Sequence, residues 1–213
     1  MLTQRRVENV TTKKRLLIAT RNEGKAAEIR TLLGEIPFEL LSLSDFARAG
    51  EAEEPEDSYA GNARCKAQYY SLATDEMVLA DDSGLEVKAL DGEPGVLSAR
   101  YAGPHATDNQ RRLKLLHELA TKNSADRRAR FVCAVAVSRK NGIILKVTEG
   151  ICKGSIGKEP RGDSGFGYDP IFVPSGYSQT FGELAEEVKN RISHRAKAVA
   201  LMREFLLIEK WSA

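Results

Sequence analysis

The sequence predicts an α/β protein built on a mixed β-sheet. Three observations carry this. Short apolar runs alternate with helical patterns in the order β-α-β-α-β, which builds parallel pairs. A hairpin signal, Asn141-Gly142, then joins two further apolar runs and adds an antiparallel pair. Last, the chain closes on a long helical pattern.

The elements follow in order. Residues 16–20 form a short apolar run, the pattern of a buried strand. Residues 23–33 read as a helix, with Ala26, Ala27, Ile29, Leu32 and Leu33 at helical spacing, stopped by Gly34 and Pro37. A second strand covers 38–43. Residues 44–57 are loop-like and acidic, containing Glu51, Glu53, Glu54 and Glu56. A helix over 58–73 takes Ser58 as its N-cap. The strand at 77–80 runs into a turn at Asp81-Asp82-Ser83-Gly84. Residues 107–120 are helical, with Leu113, Leu116 and Leu119 on one face. Hairpin strands over 130–138 and 143–149 flank Asn141-Gly142. Residues 154–168 are glycine-rich and irregular, and 193–208 form a terminal helix capped by Ser193.

Composition excludes several classes. The chain has 213 residues, 42% hydrophobic and 29% charged, the balance of an ordinary globular protein. Its three cysteines, Cys65, Cys133 and Cys152, are odd in number and form no CxxC pair, so neither a disulfide framework nor a zinc site is expected. No apolar run approaches the ~20 residues of a membrane helix, so no membrane partner is expected and the cytoplasm is the expected compartment. With 32 Lys+Arg against 30 Asp+Glu, the net charge is +2, which argues against a nucleic-acid partner. The basic excess sits in residues 1–14 and Arg15, read as a frayed extension before one domain over 15–210.

Five polar clusters could carry chemistry. Thr20-Arg21-Asn22-Glu23-Gly24-Lys25 lies between strand and helix, where backbone N–H groups and a Lys suit a phosphate. Asp81-Asp82 follows an apolar strand; neighbouring side chains on an extended chain point to opposite faces, so one Asp can face a cleft. Paired carboxylates there suit Mg²⁺ or a general base. The loop around Glu54 matters if it folds back toward Asp82. Glycines around Phe166 and Tyr168 would let the backbone approach a flat ligand. Lys189, His194 and Arg195 gather near the last helix, and Arg suits planar acceptors and phosphates. No Ser or Cys nucleophile stands out: Ser83 lacks a GxSxG elbow, and Cys133 reads as a small core residue.

Taken together and in this order, the clusters resemble the inosine triphosphate pyrophosphatase family. The motifs are residues 20–25, Ser58-Tyr59-Ala60-Gly61-Asn62-Ala63, Ala80-Asp81-Asp82-Ser83-Gly84-Leu85, the Pro94 to Tyr101 segment, Phe166-Gly167-Tyr168-Asp169-Pro170 and Ser193-His194-Arg195. The resemblance spans about 15–208. It implies an elongated α/β protein of two lobes around a long mixed sheet, with the site in the cleft between them. The reaction it implies is Mg²⁺-dependent hydrolysis of ITP, dITP or XTP to the monophosphate and pyrophosphate, by a homodimer. Carried over by position, Thr20, Arg21, Asn22, Glu23, Gly24 and Lys25 match the triphosphate loop. Asp82 matches the proton acceptor and metal ligand, Ser83 a substrate contact, Glu54 the acidic metal position, and Lys66 a functional lysine. Phe166, Gly167, Tyr168 and Asp169 match the base-binding turn; Lys189, His194 and Arg195 the remaining substrate contacts. His194 and Arg195 are expected at the purine 6-keto edge, with Phe166 stacked on the ring. No motif speaks to the 2-position. Ser58-Tyr59 stands where Thr-Phe is commoner, and Ala196-Lys197 where Gly-Gln is common. A Maf-like protein, the nearest alternative enzyme, would open its first loop with Ser-x-Ser-Pro rather than Thr20-Arg21-Asn22. A non-catalytic nucleotide-binding module would have no use for Asp82.

Overall fold

The expected βαβ entry and hairpin are both present in the computed structural model, which describes residues 13–55, 57–122, 124–209 and 211. The basic extension up to residue 12, and Glu56, lie outside the described residues. Strand β1 (Lys14–Ile18) lies between β2 (Phe38–Ser42) and β3 (Met77–Val87) and runs parallel to both. Then β3, β4 (Arg128–Ser138), β5 (Ile144–Ile156) and β6 (Phe172–Pro174) pair antiparallel in succession. The sheet is therefore mixed, in the order β2-β1-β3-β4-β5-β6. The α/β fold class is the one the sequence predicted.

Local chemistry accounts for the helices. Asn22 caps α1 (Glu23–Leu33), and Ser58 caps α2 (Tyr59–Thr74). Thr107 caps α3 (Asp108–Thr121) through a full capping box with Gln110. Ser193 caps α5 (His194–Ile208). A short helix that the sequence did not announce, α4 (Glu186–Ile192), precedes it. At the hairpin, Gly142 takes φ +81° and its N–H reaches the Arg139 carbonyl at 3.0 Å.

Three expectations need correcting. Asp81-Asp82-Ser83-Gly84 is not a turn but the middle of β3. Its partner β4 is apolar and long enough to pair it from Val78↔Ser138 to Val87↔Ala129. Strand β5 does not stop at Glu149 but runs through Gly150 and Gly154 to Ile156. A side chain at Gly150 would lie 2.1 Å from the His194 carbonyl, so this glycine lets the first turn of α5 sit on the sheet. On α3, Leu119 is buried and Leu116 packs against the core as expected, but Leu113 is exposed and Leu115 is buried in its place. The short strand after the hairpin, β6, had no signal in the sequence.

Three apolar cores explain the shape. On one face of the sheet, Met77 and Leu79 pack with Ile29 and Leu33 of α1 and Val199 and Met202 of α5. On the other, Val78 and Ala80 pack with Ala63, Ala67 and Tyr70 of α2. Farther along β3, Leu85 and Val87 join Leu115 and Leu119 of α3 with Tyr168, Phe172 and Phe181. So residues 77, 79, 81, 83, 85 and 87 share one strand face in period two, yet only the outer four enter a core. Asp81 and Ser83 interrupt the apolar face between two lobes. That gap is the cleft.

Candidate active site

Strand lengths open the site. The last β1–β3 pair is Ile18↔Leu79, and Ala19 N–H closes on the Leu79 carbonyl at 2.8 Å. Beyond it β1 gives way to the 20–25 loop while β3 continues, so Asp81 and Asp82 meet that loop. Thr20 Oγ1 accepts the Asn22 N–H at 3.2 Å, and Asn22 Oδ1 accepts the Lys25 N–H at 3.0 Å. These bonds hold the first turn of α1 with its N-terminus over the cleft, a position that favours anions. Lys25 Nζ reaches Asp81 Oδ2 at 3.1 Å. Glu23 is exposed. Arg21 points elsewhere: its Nη2 donates to the Ala49 and Gly50 carbonyls, both at 2.9 Å, at the root of the acidic loop.

Asp82 faces α2. Asn62 and Lys66, one helical turn apart, share the α2 face that meets it. Lys66 Nζ lies 3.0 Å from Asp82 Oδ1 and 2.8 Å from Glu54 Oε1. Asn62 Nδ2 donates to Asp82 Oδ2 at 3.3 Å. The acidic loop therefore does fold back, with Glu54 as its contributor, and Arg100 closes on Glu54 Oε2 at 3.4 Å. Burial raises the Asp82 carboxyl above its usual range, against the pull of Lys66 and Lys25. Burial works the same way on Glu54, but there Lys66, Lys25 and Arg100 prevail and its pKa falls. Lys66 is pushed up to about 12: burial opposes its charge, but Asp82, Asp81 and Glu54 outweigh it.

Asp81 faces α1 and α5. Besides Lys25 it meets Arg195 Nη2 at 3.5 Å, and that same nitrogen donates to Ser83 Oγ at 3.1 Å. Asp81 is fully buried, which by itself would raise its pKa; Lys25, Arg195 and Lys66 outweigh this and hold it well below the carboxylate range. Arg195 also pairs with Glu28 of α1, as does Lys189 of α4, whose Nζ lies 2.6 Å from Asp169 Oδ2. His194 is buried and stacks on Phe131, with ring centroids 4.6 Å apart at 9°. Burial, with Arg195, Lys189 and Lys25 nearby, pushes its pKa well below the usual histidine value, so the ring is neutral at pH 7. His194 Nδ1 and Arg195 Nε are buried without a hydrogen-bond partner among the described residues.

Above these groups sits the aromatic turn. The Phe166 ring lies 4.8 Å from Lys189 Nζ and 5.6 Å from Arg195 Cζ. It also leans on α1: a side chain at Gly24 would come within 2.7 Å of it. Tyr168 is a wall, not a lid; it is buried, and its hydroxyl donates to the Ser98 carbonyl at 2.9 Å. Asp169 accepts the Phe166 N–H at 2.9 Å, and burial raises its pKa despite Lys189. One cavity joins Asn22, Lys25, Ser83, Phe166, Lys189 and Arg195. Cation-rich at one wall and aromatic at another, it fits a phosphorylated, flat-ringed ligand.

Residues 16–205 match the Ham1 family. This chain belongs to that family. It is 46% identical over 197 residues to the dITP/XTP pyrophosphatase of Streptococcus agalactiae serotype V, covering 92% of this chain and 60% of that relative's length. It is 44% identical to the dITP/XTP pyrophosphatase of Clostridium tetani, covering 91% of this chain and 96% of that relative. Among solved structures, a HAM1 protein from Coxiella burnetii superposes with a TM-score of 0.83 at 37% identity, over 91% of this chain and 98% of that one.

Three residues of this Ham1 site escaped the sequence. Glu28 has no motif of its own, and only the fold places it between Lys189 and Arg195. Asp108 and Arg112 of α3 grip the aromatic turn, the carboxylate accepting the Gly167 N–H at 2.7 Å and the guanidinium donating to the Gly167 carbonyl at 2.7 Å. A lone glutamate inside α1 and an aspartate in the first turn of α3 are too common a pattern to have signalled this.

Among the described residues no group of three or more His, Cys, Asp or Glu side chains gathers as a metal cage. Glu54 Oε1 and Asp82 Oδ1 nevertheless converge on one cation, the Lys66 ammonium. Two hard oxygens beside a phosphate cleft fit Mg²⁺, which keeps several waters and takes substrate oxygens as its other ligands. No described helix is long and apolar enough to cross a membrane.

Proposed function

We propose that this chain hydrolyses dITP, XTP and ITP to the nucleoside monophosphate and pyrophosphate. The observation that carries the proposal is the split of Asp81 and Asp82: a carboxylate of raised pKa faces the Lys66–Glu54 side of a cleft whose other side offers fixed cations and an aromatic ring. The dITP/XTP pyrophosphatases of Clostridium tetani and Streptococcus agalactiae support the reaction class.

The chain's own groups divide the work. Lys25 and the α1 N-terminus bind phosphate oxygens and offset their charge. Lys66 fixes Asp82 through Oδ1, and the longer Asn62 bond leaves Oδ2 as the atom that takes the proton from the attacking water. Water oxygen bonds to the α-phosphorus, the bond from that phosphorus to the bridging oxygen breaks, and pyrophosphate leaves. Glu54 and Asp82 would hold a Mg²⁺ ion, which would supply positive charge at the triphosphate. Positioning and electrostatics carry most of the acceleration in such transfers. At the far end, Phe166 covers the base while Arg195 and His194 address its 6-keto edge; an adenine amino group there would leave buried donors unpaired, a mismatch worth up to ~10⁴-fold.

The test is pyrophosphate release from ITP, XTP, dITP, GTP, ATP and dUTP, with Mg²⁺ and with EDTA. Release confined to ITP, XTP and dITP, and abolished by EDTA, is the expected result. Silence across the panel would return Asp82 to a structural role and favour a nucleotide-binding module. The family resemblance also implies a homodimer, which sedimentation velocity checks.

A further inference from the structure

The base cavity has a fourth wall, made by the first turn of α3, to which no motif assigned a task. Arg111 lines that cavity together with Asp108, Ser98 and Ala99. It is held rigidly: Nη1 donates to the Ala99 carbonyl at 2.9 Å and to the Ala106 carbonyl, and Nη2 pairs with Asp108. A guanidinium has five N–H donors and no acceptor. Arg111 Nε and the second Nη2 hydrogen are left without an acceptor among the described residues.

The acceptors on this wall are already engaged. The Ala99 and Ala106 carbonyls take Arg111, the Ser98 carbonyl takes the Tyr168 hydroxyl, and Ser98 Oγ takes the Leu85 N–H. Asp108 Oδ1 takes Arg111, and Asp108 Oδ2 takes the Gly167 N–H. Each acceptor on the wall thus already takes a donor, while Arg111 keeps unengaged N–H groups, so the wall is donor-rich toward the cavity. We propose that Arg111 faces the purine 2-position and sets specificity there, accepting a 2-oxo group, tolerating hydrogen and refusing a 2-amino group. This rests on the purine triphosphate reading above. With the 6-keto edge at Arg195 and the phosphates at Lys25, the α3 wall is the one left for the 2-position.

The chemistry then sorts the purines. Xanthine brings an acceptor to donors. Hypoxanthine brings a hydrogen and loses nothing. Guanine brings a donor to donors, and its amino group is desolvated without a partner, a cost that shows as a lost factor of roughly ten or more.

The experiment compares the unmodified protein with Arg111→Gln, which adds an acceptor, and Arg111→Met, which keeps an unbranched stem but no donor. Within each protein, kcat/KM for XTP and for GTP is expressed relative to ITP. In Arg111→Gln the GTP:ITP ratio rises and the XTP:ITP ratio falls, each by roughly ten-fold. In Arg111→Met the XTP:ITP ratio falls by a similar factor. Binding of IMP, XMP and GMP by calorimetry gives the same ratios without turnover. If Arg111→Gln melts below the assay temperature, the Met variant decides. Ratios unchanged in the folded variants overturn the assignment. A protein that binds the monophosphates in these ratios but hydrolyses nothing overturns the hydrolytic reading and leaves Arg111 its role. One that binds none of the three overturns both.

Discussion

Asp81 and Asp82 are chemically the same residue, adjacent on one strand and both buried, yet the protein drives their pKa values in opposite directions. The pleat sends Asp81 toward α1 and α5, where Lys25 and Arg195 both reach Oδ2. It sends Asp82 toward α2, where one lysine is shared with Glu54 and burial prevails. On one face a carboxylate is held ionised as a counter-ion; on the other its pKa is raised, as the proposed proton acceptor requires. Two carboxylates given separate roles by their surroundings are a general route to acid–base chemistry near neutral pH.

The sharpest way to break this comparison is to neutralise each side in turn. Asp82→Asn keeps the shape and removes the base, and kcat for ITP should fall by ~10²-fold or more. Melting temperature should hardly move. On the proposed function, the unmodified protein should lose kcat/KM as pH falls through the Asp82 pKa, which lies above the ordinary ~3.9, because only the ionised carboxylate accepts the proton. A pH–rate profile with no acid limb above that value would remove Asp82 from the proton transfer.

Asp81→Asn should act through stability instead. It strips the counter-charge from two buried cations, a loss of ~3 kcal/mol by denaturant titration. The linkage sign follows from its depressed folded pKa. Asp81 contributes stability above its unfolded value of ~3.9, and that contribution is lost as pH falls below it. If Asp81→Asn cut kcat as deeply as Asp82→Asn with no loss of stability, the two faces would not be separate in function.

Smaller effects sharpen the picture. Glu28→Gln leaves Lys189 and Arg195 short of a shared partner, so these proposed substrate contacts lose their orientation; KM for ITP should rise about ten-fold, with kcat changed less. A change in kcat alone would place Glu28 with the phosphate chemistry. Arg100→Ala opens a half-exposed pair with Glu54, and the stability change should stay below ~1 kcal/mol and shrink with salt.

How much of this was legible beforehand depends on distance along the chain. Asn22, Ser58, Thr107 and Ser193 cap their helices through N–H groups three positions on, so those boundaries could be read directly. Asn141-Gly142 announces its hairpin for the same reason. The chemical residue types were also visible: acidic pairs, a lysine after a strand, an aromatic between glycines. Asp81-Asp82-Ser83-Gly84 looked like a turn because its composition is that of one. Pairing with β4 overrode it, a contact that strand propensity inside a short window does not contain.

The helices, the alternating strands, the hairpin and the set of chemical groups were thus written in local sequence, because caps and periodicity act within a few residues. Which Asp has its pKa raised, which glutamate faces the cleft, and what surrounds the ring turn were settled by folding alone. Glu28 meets Arg195 across 167 positions and Arg112 meets Gly167 across 55. A pKa depends on burial and on charges brought close through space, and both exist only once the chain has closed on itself.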